Sequence, residues 1–307
     1  MPAADLPERL MNIQNKWVGG LAEWTDGNNA YLSIAFTWKL NEARDRARWY
    51  RSLGYRVIAG GPATFRPGGY LADDVDELGG SLPDAVRFHH PAATVASRGC
   101  PVGCWFCIVP AMEGRTFTLI PDFPVRPILC DNNLSALPAE YQGHIIDRYR
   151  SEGVPLLDAN SGFEPRTFDG AVFERWDEIL RGPWRFAYDD LPEREYVYRV
   201  MQMLKDISPK RKRVYVLIGN EPIAECLGRI REVIEWGGEP HVQPLMKLNT
   251  LEKEHWVRFD WTAQKLKDVA RWANRRLWKY CEFDDYQTSV KSSRLIQNDR
   301  QQTLTLE

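Results

Sequence analysis

The sequence lacks the features that are typical of membrane, secreted and nucleic-acid-coating proteins. No apolar stretch in its 307 residues approaches the roughly 18 residues of a membrane-spanning helix. Its start, MPAADLPERL, has no basic-then-apolar signal-peptide pattern, so we expect a cytoplasmic protein with no membrane partner. The formal net charge of −2 provides no overall basic field of the kind that dominates nonspecific nucleic-acid binding.

Cysteine and histidine are also scarce, and the sequence contains no internal repeat or low-complexity block. The six cysteines are spaced too unequally to indicate a disulfide framework. The composition, 44% hydrophobic and 27% charged, is that of a globular protein rather than a disordered one. We therefore expect one main domain with appended elements.

The N-terminal third has the pattern of a βαβ unit. A β-forming run, NNAYLSIAFTW, precedes the charged helical segment KLNEARDRARWYRSLG, and YRVIAGGPAT then returns to a strand that ends at glycine and proline. Residues 65–91 are rich in Gly and Pro, which predicts a linker. We thus predict a Rossmann-like βαβ unit with its linker over residues 1–90.

From Ala92 onward, short apolar runs alternate with amphipathic segments. The candidate strands are ATVAS (93–97), RPILCD (126–131), PLLDAN (155–160), WRFAYD (184–189), VYVLIG (214–219) and HVQPL (241–245). The helical patterns between them cover residues 139–151, 170–180, 193–207 and 223–236. Strands alternating with helices predict an α/β fold with parallel crossovers, here a partial (β/α)6 barrel over residues 91–250.

The remaining sequence predicts a helical extension and a tail. WTAQKLKDVARWANRRLWKYCEF reads as one amphipathic helix, Trp261 to Phe283, within an extension over residues 251–287. Residues 288–307 are polar and aperiodic, which predicts disorder. Aromatic and basic side chains of the extension could form a nucleic-acid face, but tryptophans at helical spacing indicate core packing, which is our interpretation. These side chains are Trp256, Arg258, Trp261, Arg271, Trp272, Arg275, Arg276 and Trp278.

The densest chemical signal is SRGCPVGCWFC, which carries Cys100, Cys104 and Cys107 directly after the first strand of the barrel-like region. Loops at this end of a strand build active sites in such folds. Thiolates are soft ligands for zinc, copper(I) or iron–sulfur clusters. Gly99 and Gly103 would let the backbone wrap closely around a metal group.

Two other interpretations of the cysteines remain open. A structural zinc site needs four ligands, so the fourth would come from elsewhere, with Cys130, His89 and His90 as the nearest candidates. We interpret Cys130 as a small buried hydrophobe and the two histidines as surface residues. The second alternative, three unrelated buried thiols, is disfavoured by their density.

The spacing C-x3-C-x2-C, with Phe106 before the last cysteine, resembles the signature of the radical S-adenosylmethionine superfamily. The resemblance implies that Cys100, Cys104 and Cys107 hold three irons of a 4Fe-4S cluster. The fourth iron would bind S-adenosylmethionine, and one electron would cleave that cofactor to methionine and a 5'-deoxyadenosyl radical that abstracts a hydrogen atom from substrate. The protein would bind and orient these cofactors.

The likeness extends over roughly residues 92–250 and is nearest to the subgroup of methylthiotransferases and cobalamin-linked enzymes. CIVPAMEGR, ILCDNNL, DANSGFEPR, WRFAYDD and VYVLIGNEP resemble successive strand ends of that subgroup. The N-terminal unit resembles a truncated cobalamin-binding domain, but an Asp-x-His-x-x-Gly element is absent from the sequence. A second cysteine triad, which would hold an auxiliary cluster, is absent as well.

The resemblance also implies contacts to S-adenosylmethionine at the strand ends. Asp131 and Asn132, which replace the family's Gly-Gly-Glu-like element, would accept from the methionine ammonium. Ser161 and Arg166 would approach the carboxylate and Asp189 the ribose, while Ile218, Gly219 and Phe106 would border the adenine. For each polar residue, a local turn, cap or salt bridge is the alternative.

The sequence therefore predicts a radical S-adenosylmethionine enzyme with an unidentified substrate, a small molecule or a nucleic acid. Its partner would be an external one-electron reductant such as flavodoxin or ferredoxin. No catalytic side chain is identified. The rival hypotheses are a binding module that is stabilised by zinc or an iron–sulfur cluster, with nucleic acid as a candidate ligand, and an electron-transfer iron–sulfur protein.

Overall fold

The computed structural model describes residues 16–79 and 82–286. The protein is a mixed α/β structure, and its described strands form four separate sheets and no closed barrel. The chain divides into two compact units. Within the described residues, the first comprises residues 16–184 and 246–254, and the second comprises residues 185–245 and 255–286.

The first unit begins with a four-stranded sheet in the order β1-β2-β3-β4. Its elements are β1 (Leu21–Asp26), β2 (Asn29–Ile34), α1 (Leu40–Ser52), β3 (Arg56–Gly60) and β4 (Glu77–Leu78). β2 and β3 are parallel with α1 between them, which confirms the predicted βαβ unit. β1, which was not predicted, forms an antiparallel hairpin with β2.

The segment predicted as a linker is instead part of this unit. β4 pairs with β3, and a short helix, α2 (Ala85–His89), follows. Leu71 and Val75 are buried in the core of the sheet, and Phe88 stacks on Trp24 with ring centroids 4.1 Å apart. These apolar residues are isolated among Gly and Pro, so they show no periodicity although they pack.

The rest of the first unit carries the cysteine loop. A parallel sheet has the order β5-β8-β9, and β6 pairs antiparallel with β7. The strands are β5 (Ala93–Thr94), β6 (Ser97–Arg98), β7 (Thr118–Leu119), β8 (Ile128–Leu129) and β9 (Asp158–Ala159). The helices are α3 (Val109–Met112), α4 (Ala139–Glu152) and α5 (Gly170–Asp177).

The second unit contains a sheet in the order β10-β11-β12. Its strands are β10 (Trp184–Ala187), β11 (Lys212–Ile218) and β12 (Glu239–Pro244), and its helices are α6 (Arg194–Met203), α7 (Ile223–Glu235) and α8 (Ala263–Asn274). β11 and β12 are parallel. All six strands predicted after Ala92 are thus present, and a helix lies in each of the four predicted helical segments.

The predicted helix from Trp261 to Phe283 is wrong in length. α8 ends at Asn274, and Arg276 adopts a left-handed backbone with φ +56°. Up to residue 286, where the described part of the chain ends, two short 3-10 turns follow. Trp261 and Trp272 are buried, which confirms our core interpretation for these two tryptophans. The predicted disordered tail, residues 288–307, lies outside the described residues. Among the described helices, none is long and apolar enough to cross a membrane.

Candidate functional site

The cysteine loop is folded tightly against the segment that follows it. Gly99 has φ +89°, and a Cβ there would overlap the carbonyl oxygen of Thr116. The backbone N–H of Cys100 donates to the carbonyl oxygen of Gly114 at 3.3 Å. Only glycine satisfies both the left-handed backbone and the close approach at position 99.

The three cysteines of the loop are all half-buried, and two of their sulfurs have N–H donors. The backbone N–H of Val109 donates to Cys107 Sγ at 3.4 Å, and Asn133 Nδ2 donates to Cys100 Sγ at 3.8 Å. Three thiols on one short loop, with N–H donors to the sulfurs of Cys100 and Cys107, are a donor set whose chemistry fits an iron–sulfur cluster. Within residues 16–79 and 82–286, no group of three or more His, Cys, Asp or Glu side chains is close enough to hold a metal ion.

Glu113 joins the cysteine loop to the end of β8. One of its carboxylate oxygens accepts from the backbone N–H of Gly99 at 2.9 Å and from Asn132 Nδ2 at 2.6 Å. Its other oxygen lies 3.4 Å from the Arg98 guanidinium. Asn132 Nδ2 also donates to the carbonyl oxygen of Gly99 at 3.3 Å. The predicted cofactor residue Asn132 therefore lies at the cysteine loop.

Asp131 fixes the strand that leads into the loop. The side chain is buried, and its two oxygens accept from the backbone N–H of Ala96 at 2.7 Å and from Ser97 Oγ at 2.5 Å. Burial raises the pKa of Asp131 to about 6, although these two hydrogen bonds favour the charged form. Both oxygens are thus already engaged inside the protein.

The loop after β9 is bonded to the loop after β8. Ser135 Oγ accepts from the backbone N–H of Glu164 at 2.8 Å. The Glu164 carboxylate in turn accepts from Arg166 Nε at 2.6 Å. Arg166 and Ser161 are exposed. Ser161 and Arg166 therefore lie on the loop after β9, which is bonded to the loop after β8. Arg166 forms an ion pair with Glu164.

Phe106 is half-buried and lies edge-on to Trp105, with ring centroids 5.5 Å apart. Trp105 is exposed. The loop therefore presents an aromatic pair between its last two cysteines.

The candidates for a fourth ligand are engaged elsewhere. His90 is 1% exposed, so our interpretation of it as a surface residue is wrong. The Nδ1 atom of His90 accepts from the backbone N–H of Ala92 at 3.2 Å. His89 Nε2 lies 2.9 Å from Ser33 Oγ. Burial raises the pKa of Cys130 to about 12, which keeps this thiol protonated at neutral pH.

The remaining predicted residues belong to the second unit. Asp189 follows β10, where burial, and secondarily the Glu193 carboxylate, raises its pKa to about 7. Ile218 is buried at the end of β11. Gly219 has φ +91°, and a Cβ there would lie 3.3 Å from the carbonyl oxygen of Trp256. The backbone at Trp256 therefore passes close to the turn at Gly219.

Arg229 on α7 ties together the ends of β10 and β11. It is fully buried, and its guanidinium donates to the carbonyl oxygen of Tyr188 at 2.6 Å and to that of Leu217 at 2.9 Å. It also lies 2.8 Å from the carboxylate of Glu221. This arginine therefore holds the strand ends that carry Asp189 and Gly219.

An exposed arginine–aromatic surface, formed by Trp256, Arg258 and Phe259, lies beside the same turn. The Arg258 guanidinium is 5.6 Å from the Trp256 ring centroid and 5.2 Å from that of Phe259. The two rings are 42% and 57% exposed, well above the core tryptophans. These two rings are therefore open to solvent.

Sequence reasoning did not identify Glu113, Asn133 or Arg229. A carboxylate nine positions after Cys104 and the second of two adjacent asparagines carry no motif of their own. Arg229 looked like one more charged residue of an amphipathic helix. Their partners are remote in sequence, so only the folded chain reveals them.

Comparison with protein-family models yields no match for this chain. Comparison with curated proteins yields none of significant similarity.

Proposed function

We propose that the protein is a radical S-adenosylmethionine enzyme with a 4Fe-4S cluster and a partial (β/α)6 barrel. The observation that carries the proposal is that residues following the parallel strand β8 reach the cysteine loop, which follows β6. Asn132 and Asn133, which follow β8, donate to Gly99 and Cys100 of the loop. In α/β structures the carboxyl ends of parallel strands such as β8 are where ligands bind.

In this proposal Cys100, Cys104 and Cys107 would hold the cluster, next to which S-adenosylmethionine would bind. When bound, the cluster would pass one electron from the reductant to the sulfonium, whose C–S bond would break to methionine and a 5'-deoxyadenosyl radical for hydrogen abstraction from an unidentified substrate. A mobile electron donor such as flavodoxin or ferredoxin would reduce the cluster.

The side chains of the first unit divide into holding and binding roles. Asp131 supports the strand before the loop rather than binding the methionine ammonium, because both its oxygens already accept hydrogen bonds. Asn132 is the remaining acceptor for the ammonium, through its amide oxygen. Ser161 and the exposed Arg166 bind the carboxylate, for which the planar guanidinium is suited. Phe106 borders the adenine.

The test is anaerobic reconstitution with iron and sulfide. We expect a brown protein with about four irons per chain and 5'-deoxyadenosine release that depends on reductant and S-adenosylmethionine. Cys100→Ser should abolish this release while the protein stays folded, and Cys281→Ser should serve as the matched control. A colourless protein that binds only zinc, and that unfolds when Cys100 is replaced, would refute the proposal in favour of a structural zinc module. A cluster-loaded protein without affinity for S-adenosylmethionine would instead indicate an electron-transfer protein.

A second candidate, a nucleic-acid-binding module with a metal-stabilised loop, is favoured by the exposed surface of Trp256, Arg258 and Phe259. Exposed rings beside a guanidinium suit base stacking and phosphate contact, and each stacked base contributes about 1–3 kcal/mol. Fluorescence anisotropy with labelled single-stranded DNA should then show a salt-sensitive affinity that the double variant W256A/F259A weakens at least about tenfold. Absence of binding at low salt would eliminate this candidate.

A further inference from the structure

Asn133 connects the cysteine loop to the turn that follows β8. It is 4% exposed and immediately follows Asn132, which contacts Gly99. Its amide nitrogen lies 3.8 Å from Cys100 Sγ, within hydrogen-bonding range for sulfur. A buried polar side chain is therefore directed at one of the three sulfurs of the triad.

Internal partners fix the orientation of the Asn133 amide. Its Oδ1 accepts from the backbone N–H of Ala136 at 3.1 Å and from Ser135 Oγ at 3.4 Å. A flipped amide would place Nδ2 against the Ala136 N–H, so two donors would face each other. The turn therefore sets the donor side of the amide toward Cys100.

We infer that Asn133 is a positioning residue that tunes the reduction potential of the cluster through its hydrogen bond to Cys100 Sγ. This inference rests on the proposed function. Reduction adds negative charge that is shared with the thiolate ligands, and an N–H donor stabilises that charge. Hydrogen bonds to the sulfurs are one of the factors that set iron–sulfur potentials. Asn133 thus makes the cluster easier to reduce.

A purely structural role is the competing explanation, because Oδ1 of Asn133 also caps the turn at Ala136. Two neutral replacements separate the roles. Asn133→Ala removes both the cap and the donor, whereas Asn133→Ser retains a short oxygen that can cap a turn but cannot reach the sulfur as the amide does. If only the turn matters, the serine variant should behave as wild type.

Asn160 provides a matched control. Its Nδ2 donates to the thiol of Cys130 at 3.9 Å, which is also an amide-to-sulfur contact but with a cysteine outside the triad. Asn160→Ala therefore removes the same kind of hydrogen bond without changing a proposed cluster ligand.

The experiment is a redox titration of the anaerobically reconstituted proteins, followed by the electron paramagnetic resonance signal of the reduced cluster. We expect Asn133→Ala and Asn133→Ser to bind as much iron as wild type and to have more negative midpoint potentials, with Asn160→Ala unchanged. Wild-type potentials in both iron-loaded Asn133 variants, or an equal shift in Asn160→Ala, would overturn the inference and leave the proposed function intact.

Loss of iron from both variants would mean that Asn133 acts in assembly of the site, and the inference as stated would be wrong. A wild-type protein that takes up no cluster would refute the proposed function itself, and the inference with it. Iron content, measured before the titration, distinguishes these two failures.

Discussion

Replacement of Glu113 by alanine tests whether the cysteine loop is held in place by the carboxylate that bridges Gly99 and Asn132. The change removes the acceptor of two hydrogen bonds, at 2.9 and 2.6 Å. A buried donor left without a partner costs about 1–3 kcal/mol. Gly99 is buried and Asn132 partly so, whereas the 3.4 Å contact with the half-exposed Arg98 contributes little. We therefore expect Glu113→Ala to lower the free energy of unfolding by about 2–4 kcal/mol.

Urea unfolding of the metal-free protein, followed by circular dichroism, measures this loss directly. Glu113→Gln retains an amide oxygen that can accept both hydrogen bonds, which go to a single oxygen of Glu113, so it should lose much less stability than Glu113→Ala. Glu152→Ala is the matched surface control, because it removes only an exposed ion pair with Arg148 and should change stability by at most about 0.5 kcal/mol. A Glu113→Ala variant within about 0.5 kcal/mol of wild type would show that the carboxylate does not hold the loop.

Two further perturbations test the buried charges. Burial raises the pKa of Asp131 from 3.8 to about 6, so the folded protein binds the proton of this carboxyl group more tightly than the unfolded chain does. The free energy of unfolding should therefore fall as pH rises from about 4 to 6, by on the order of 3 kcal/mol. Asp131→Asn, which keeps a hydrogen-bond partner for Ser97, should flatten that pH dependence. An unchanged profile would show that the Asp131 carboxyl group does not cause it. Arg229→Met removes the donor to the carbonyl oxygens of Tyr188 and Leu217 and leaves the Glu221 carboxylate without its ion pair. It should lower the free energy of unfolding in urea by about 3–5 kcal/mol, whereas a neutral result would mean that the strand ends hold without the guanidinium.

The elements that the sequence predicted correctly are those whose residues carry their own local signal. β11 reads as a strand because its apolar residues form a continuous run, and in the structure Val214, Val216, Leu217 and Ile218 are all buried. Continuous apolar runs are typical of strands in parallel sheets. β5, β8 and β9 lie within their predicted runs but pair over only two residues each, because apolar character extends beyond the residues that pair.

The elements that the sequence missed depend on partners elsewhere in the chain. β1 alternates polar and apolar residues, and Gly27 in the Asp-Gly pair at its end is a hairpin signal that pattern reading could have found. The break after α8 carried no such signal, because Arg276 is an ordinary helix former that here adopts a left-handed backbone. Leu71 and Val75 had no periodicity, and the neighbouring sheet alone explains their burial.

The candidate site shows the same division between local pattern and remote contact. The triad was evident from its spacing, but the residues that organise its loop come from different elements. Glu113 follows α3 and holds the first turn of the loop, while Asn133 follows β8 and directs an amide at Cys100 Sγ. Replacing Glu113 should therefore change stability, and replacing Asn133 should change a potential. Two neighbours of one loop thus have separable effects, because one binds the backbone of the loop and the other a sulfur.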